Sequence, residues 1–132
     1  MIYYLLYYGV ESFRFEQNDF EDLLKQSREK NRHLEVTGKL IYCEGTFIQL
    51  LEGTEQNVED IYAAIKKDQR LVATKLITSG HAESRYFKDW SMDFERISLN
   101  VLYQLEQCTH ANVAEYITNA PAIRLLKLFN VK

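Results

Sequence analysis

Residues 2–8 are apolar on both alternating faces, with Tyr3, Leu5 and Tyr7 on one and Ile2, Tyr4, Leu6 and Tyr8 on the other. A strand with no polar face belongs in the middle of a sheet covered on both sides. Gly9 is read as its end. The pattern then changes period. Phe20, Leu23, Leu24 and Ser27 form a helical stripe, and Asn18 with Glu21 three residues later makes a capping-box start. Asn31 lies eleven residues after Phe20, about three helical turns. It therefore returns to the inward face, where a polar side chain needs a partner.

Residues 38–42 and 46–51 read as a hairpin turning on Glu44-Gly45. In its second strand Phe47, Gln49 and Leu51 share a face, so Gln49 is an amide between two large apolar groups. Thr54 caps a second helix with the inward stripe Val58, Ile61, Tyr62 and Ile65. Residues 74–81 read as a fourth strand. Residues 90–96 read as a fifth, with Trp90, Met92 and Phe94 on one face. The order βαββαββ predicts an α+β, ferredoxin-like sheet with two helices on one face. Beyond it, Val101, Leu102 and Leu105 mark one amphipathic helix, and residues 122–129, entered through Pro121, mark another. The expected division is a sheet domain over residues 1–97 and a helical extension over 98–132. The extension is expected to cover the second face of the sheet and to carry packing, oligomerisation and output.

Composition narrows the function classes. The 132 residues are 46% hydrophobic and 27% charged, with a net charge of −3, enough for one core and no electrostatic case for nucleic acid. No apolar run approaches the ~20 residues of a membrane helix, and the N-terminus lacks the basic leader and cleavage site of a signal peptide. A cytoplasmic protein is expected, with Cys43 and Cys108 reduced. His33, His81 and His110 have no metal-ligand spacing with each other or with the cysteines. Neither a phosphate-cradling loop nor a nucleophile elbow occurs, so neither a hydrolase nor an NTPase is expected. Taken by residue type alone, Tyr7 is one more core aromatic among 9 tyrosines, Gln49 and Asn31 are satisfied amides, and Asp68 and Arg70 are a solvated pair.

Their arrangement in order changes that reading. Val36-Thr37-Gly38, an apolar strand, a short turn and Phe47-Ile48-Gln49-Leu50-Leu51-Glu52-Gly53 resemble the central signature of the BLUF family, blue-light sensors using FAD. Leu5-Leu6-Tyr7, Arg28-Glu29-Lys30-Asn31, Asp68-Gln69-Arg70 and Trp90-Ser91-Met92 match further landmarks, so the resemblance covers roughly residues 2–96. It implies a flavin (FAD, with FMN as the alternative) bound non-covalently between the two helices. Tyr7 would be the phenol that passes an electron and then a proton to the excited flavin. Gln49 would rotate or tautomerise between them. Asn31 would hold the flavin's polar edge beside Lys30, with Ser27, Arg28, Asp68 and Arg70 completing the cofactor site. Trp90 and Met92 would relay the change. Neutral groups suit such a switch, because reversing a carboxamide swaps donor for acceptor without creating buried charge, and a phenol with its ordinary pKa near 10 starts protonated.

The expected protein is a photoreceptor and not an enzyme, whose output passes to a separate protein partner or within a homo-oligomer, with no nucleic acid or membrane contacted directly. Tyr8-Gly9, Lys30, Ala64 and Leu71 depart from the family's common pattern. Lys30, Ala64 and Leu71 motivate the alternative of a light-insensitive interaction module of the same fold that has lost flavin. A flavin-dependent redox enzyme is a third reading, for which no nicotinamide or substrate site is apparent.

Overall fold

The computed structural model describes residues 1–85, 87–88 and 92–96. The expected helices after residue 97, the domain division there, Trp90, Cys108 and His110 lie outside the described residues. The described chain runs β1 (Ile2–Glu11), α1 (Gln17–His33), β2 (Thr37–Cys43), β3 (Thr46–Gly53), α2 (Glu55–Lys66), β4 (Leu71–Ala82) and β5 (Asp93–Arg96). The strands form a single five-stranded sheet in the order β4-β1-β3-β2-β5. β1 pairs antiparallel with β3 and β4, β2 antiparallel with β3, and β5 parallel with β2. This is the ferredoxin-like α+β arrangement that the periodicity predicts, with one added edge strand.

One face carries the helices. Tyr3, Leu5 and Tyr7 of β1, Phe47 and Leu51 of β3, Phe20 and Leu23 of α1, and Val58, Ile61 and Tyr62 of α2 share a single apolar core. The opposite face is apolar as well, and Leu6, Ile41, Ile48 and Leu50 are buried on it. β1 is thus wrapped on both sides, as its doubly apolar pattern requires.

Local chemistry explains the boundaries, and two differ from expectation. β1 runs past Gly9 to Glu11, because β4 starts early enough to offer Val72 and Leu71 as partners to Val10 and Glu11. Gly9 takes an extended conformation there, and it is the ladder rather than the residue type that decides. α1 starts at Gln17 rather than after Asn18. Asp19 accepts the Glu16 N–H at 2.8 Å, which satisfies one of the amides a helix start leaves orphaned. Thr54 does cap α2, its hydroxyl accepting from Asn57 N at 3.3 Å.

The β2–β3 turn has positive φ at both Glu44 (50°) and Gly45 (87°), the twist that suits a two-residue hairpin. Gly38 has φ 157°, and a Cβ there would lie 1.9 Å from the Leu50 carbonyl oxygen of β3. β4 is longer than the predicted 74–81 and is bulged against β1, with Ala73 at φ 51°. β5 is shorter than the predicted 90–96, with Met92 immediately before it. β4 and β5 lie at opposite edges, so the chain between them crosses the sheet. It is tied down on the way where Arg85 donates to Thr37 Oγ1 at 2.8 Å and Glu52 O at 3.0 Å, and where Phe87 N donates to Glu52 Oε1 at 3.0 Å.

Candidate functional site

A cleft of about 310 Å³ opens between α1 and α2 on the helical face, at the lower end of the range for small-molecule pockets. The sheet supplies its floor through Tyr7, Leu40, Phe47 and Gln49. α1 supplies Leu23, Gln26, Ser27, Lys30 and Asn31, the i, i+3, i+4, i+7, i+8 series of one helix face. α2 supplies Ile61, Ala64 and Ile65 in the same way, the following turn brings Lys67, Asp68 and Arg70 to the rim, and Leu71 lines the cleft from the start of β4.

Tyr7 and Gln49 are direct cross-strand partners on β1 and β3. The Tyr7 hydroxyl donates to Gln49 Oε1, and Gln49 Nε2 donates to Met92 Sδ at 3.2 Å. Tyr7 is 2% and Gln49 4% exposed, so the amide is held at both ends inside the protein. Burial pushes the Tyr7 phenol well above its ordinary value, with the neighbouring Tyr62 hydroxyl and Asp68 carboxylate acting in the same direction. The Tyr62 ring lies 5.2 Å from that of Tyr7. Asn31 is buried at the end of α1, where its carbonyl accepts Val36 N at 2.8 Å.

The rim is charged and ordered. Arg70 Nη2 meets Asp68 Oδ2 at 2.7 Å, Arg70 Nε meets Asp68 Oδ1 at 3.0 Å, and the Arg70 N–H also donates to Oδ1 at 2.9 Å. This fork-to-carboxylate geometry holds the Asp68 carboxyl below its usual range and the Arg70 guanidinium above its own. Arg70 Nη2 also donates to Gln26 Oε1 at 3.0 Å, which ties the turn after α2 to α1 across the cleft mouth.

Among the residues expected at the site, Tyr7, Ser27, Lys30, Asn31, Gln49, Asp68 and Arg70 line this cleft together. Arg28 does not line it. Its Nε donates to the Met92 carbonyl at 3.0 Å, since a residue next to Ser27 on a helix points about 100° away from it. Met92 sits behind Gln49, and Trp90 lies outside the described residues. Gln26 and Lys67 escaped the sequence reading, and Tyr62 was read only as an inward-facing core residue. Gln26 was legible, because it falls on the stripe that joins Leu23 to Asn31.

The buried acids set a pH dependence of stability. Burial raises the Tyr3, Tyr7, Tyr42 and Tyr62 phenols, Tyr42 to about 12, and the Cys43 thiol to about 11. The unfolded chain gives up these protons near 9.0 for the thiol and 10.0 for the phenols, before the folded chain does. Their contribution is therefore complete below about pH 9 and declines as the pH rises. The urea midpoint is expected to be flat between pH 7 and about 8.5 and to fall steadily above about 9. A midpoint that holds level to pH 11 would contradict it.

The cleft chemistry fits a flavin. Apolar walls from Leu23, Leu40, Ile61 and Ile65 suit a flat ring system, the Asn31 and Gln49 amides offer donors and acceptors to its polar edge, and the cationic rim suits a phosphorylated tail. Comparison with known proteins agrees. A model of the family described as sensors of blue-light using FAD matches residues 2–93. The photoactivated adenylate cyclase subunit beta of Euglena gracilis is 32% identical over 63 residues, which are 48% of this chain and 7% of that protein. The blue light- and temperature-regulated antirepressor BluF of Escherichia coli K12 is 31% identical over 80 residues, 61% of this chain and 20% of that protein. The chain thus spans a small part of either relative. Among solved structures, the photo-activated state of BlsA superposes with TM-score 0.85 at 25% identity, over 98% of this chain and 93% of that one. The dark state of the BLUF protein BlrB gives 0.77 at 21%, over 98% and 92%. With a cleft of this chemistry on the fold of those sensors and a family match over most of its length, the chain belongs to the BLUF family of blue-light sensors using FAD.

Proposed function

We propose that this chain is a blue-light photoreceptor in which Tyr7 and Gln49 form the photochemical pair. The observation that carries the reading is the buried, unbroken sequence of contacts from the Tyr7 hydroxyl through the Gln49 amide to Met92. A bound flavin would supply the absorption of blue light and, when excited, a one-electron acceptor. Tyr7 would give that electron, release its hydroxyl proton toward Gln49 Oε1, with which it is hydrogen-bonded, and take both back as the cycle closes. Gln49 would respond by turning or tautomerising its amide, so that the group it presents to the cleft changes from donor to acceptor or the reverse. Both residues are neutral before and after the cycle, which suits a site where a lasting charge would be costly. Asn31 and Ser27, with Lys30 beside them, would orient the polar ring edge, and Asp68 and Arg70 would hold the tail. Arg28 acts at one remove, by fixing the main chain of Met92. With Gln49 altered, Met92 and β5 are the first structures to feel the change.

FAD is the proposed cofactor and FMN the alternative. The chain is proposed to act as a sensor rather than a catalyst, in the cytoplasm, on a separate protein partner or within a homo-oligomer through the segment after residue 97. The names of the relatives support an output beyond the light-sensing unit, since one is a photoactivated cyclase subunit and another a light-regulated antirepressor. No helix among the described residues is long and apolar enough to cross a membrane.

The test is an absorption spectrum of the purified protein before and after blue light. A yellow protein whose flavin band shifts reversibly to the red is expected, and chromatography of the released cofactor decides between FAD and FMN. Lys30, Ala64 and Leu71, the departures from the family pattern, all line the cleft. A protein that stays colourless after refolding with excess FAD would favour the light-insensitive module instead.

A further inference from the structure

Lys39 lies in the middle of β2, on the face turned away from the cleft that its neighbour Leu40 lines. Its side chain is fully buried. The ammonium sits 3.4 Å from Glu95 Oε2 and 3.9 Å from Asp93 Oδ2, and makes no hydrogen bond among the described residues. Packing does not call for this charge, because a methionine would fill similar space without the cost of desolvating an ion. Both carboxylates belong to β5, a four-residue edge strand in parallel register with β2, where Asp93 opposes Lys39 and Glu95 opposes Ile41. On its other side β5 is held by the Phe94 ring, 5.7 Å from Phe20, and by the Arg96 guanidinium, 4.7 Å above Phe20. Immediately before β5 stands Met92, whose sulfur takes the Gln49 amide bond.

We propose that Lys39 is a positioning residue for the photocycle: its buried ammonium holds β5 in place on β2, and so holds Met92 against Gln49 and speeds the return of the altered amide. This rests on the reading of Gln49 given above. The form of the contact suits the role. A hydrogen bond weakens steeply with a small change of angle or distance, whereas an ion pair in a shielded setting attracts over a longer range. A strand held by Lys39 can shift when Gln49 changes and still be drawn back.

The experiment uses the full flavin-loaded protein and reads the lifetime of the red-shifted form in the dark. Lys39→Met is expected to keep the flavin and the shift while slowing recovery about fivefold, equivalent to ~1 kcal/mol in the barrier. Glu95→Gln, at a partly exposed position, is expected to slow it in the same direction. In the double variant Glu95→Gln should add nothing to Lys39→Met, since the partner is already gone. A packing role for Lys39 would give no effect of Glu95→Gln, or additive effects. A normal shift in the wild type with an unchanged lifetime in Lys39→Met would overturn this inference alone. A wild-type protein with flavin but no shift would bring down both it and the reading of the site.

Discussion

Replacing Tyr7 with phenylalanine is expected to leave the protein yellow and insensitive to blue light. The ring stays, with its contact to Tyr62 at 5.2 Å and its place on the cleft floor, so the walls that enclose the flavin are unchanged. What disappears is the hydroxyl that donates to Gln49 Oε1. Phenylalanine has neither the proton to release nor the same ease of giving up an electron, so the sequence of events proposed for Gln49 cannot begin. The variant should contain as much flavin as the wild type, with its reversible red shift reduced below detection. A shift of ordinary size would show that another donor starts the cycle. A cost in stability comes with the change, because the Gln49 carbonyl is left buried without its donor, typically ~1–3 kcal/mol. Urea unfolding of the two proteins measures it, and a variant with lowered stability but a normal photocycle would still refute the role of Tyr7.

The second large effect is structural. Gly38→Ala is expected to destabilise the protein by about 3 kcal/mol or more, in the range reserved for main-chain strain and clashes. The added Cβ would meet the Leu50 carbonyl oxygen at 1.9 Å, and that oxygen belongs to the neighbouring strand of the same hairpin. No flexible side-chain end is there to give way, so β2 and β3 must part where Gly38 opposes Leu51. The φ of 157° adds a conformation that residues with side chains rarely take. Gly9 provides the control, since its added Cβ would find only ordinary contacts at 3.5 Å to Leu71 and Thr74 side chains. Gly9→Ala should therefore stay within ~1 kcal/mol of the wild type. Equal urea midpoints for the two variants would show that the hairpin can open at Gly38 without penalty.

Much of this architecture was legible because it depends on period alone. The doubly apolar run of β1 requires a central strand, and the 3.6-residue stripe through Phe20, Leu23 and Ser27 turns Asn31 inward. Two alternating strands and one helix thus direct Tyr7, Gln49 and Asn31 toward one cleft, although it took the family resemblance to single them out from core residues of the same types. What period could not supply was the outcome of local competitions. Asn18 reads as the helix start, yet the helix begins earlier, at Gln17, where the Glu16 N–H finds the Asp19 carboxylate. Gly9 reads as a break until β3 offers it a ladder partner in Phe47. Arg28 sits beside the site in sequence but off the inward stripe in space. Lys39 is the plainest case, since a lysine in an alternating strand reads as a solvent group, whereas the parallel docking of β5 brings Asp93 and Glu95 beside its buried ammonium.

That parallel docking also orders the assembly of the molecule. The β2–β3 hairpin closes over a turn of a few residues, whereas Asp93 reaches Lys39 only after the chain has traversed the sheet from β4 to the far edge. β5 brings only the short ladder from Asp93 to Arg96, so it has little to gain until β2 is already in place. β5 is consequently expected to be the last strand to join and, being four residues at an edge, the first to come away in local opening. The part of the chain that stands next to Gln49 through Met92 is thus the part whose displacement costs the rest of the fold least.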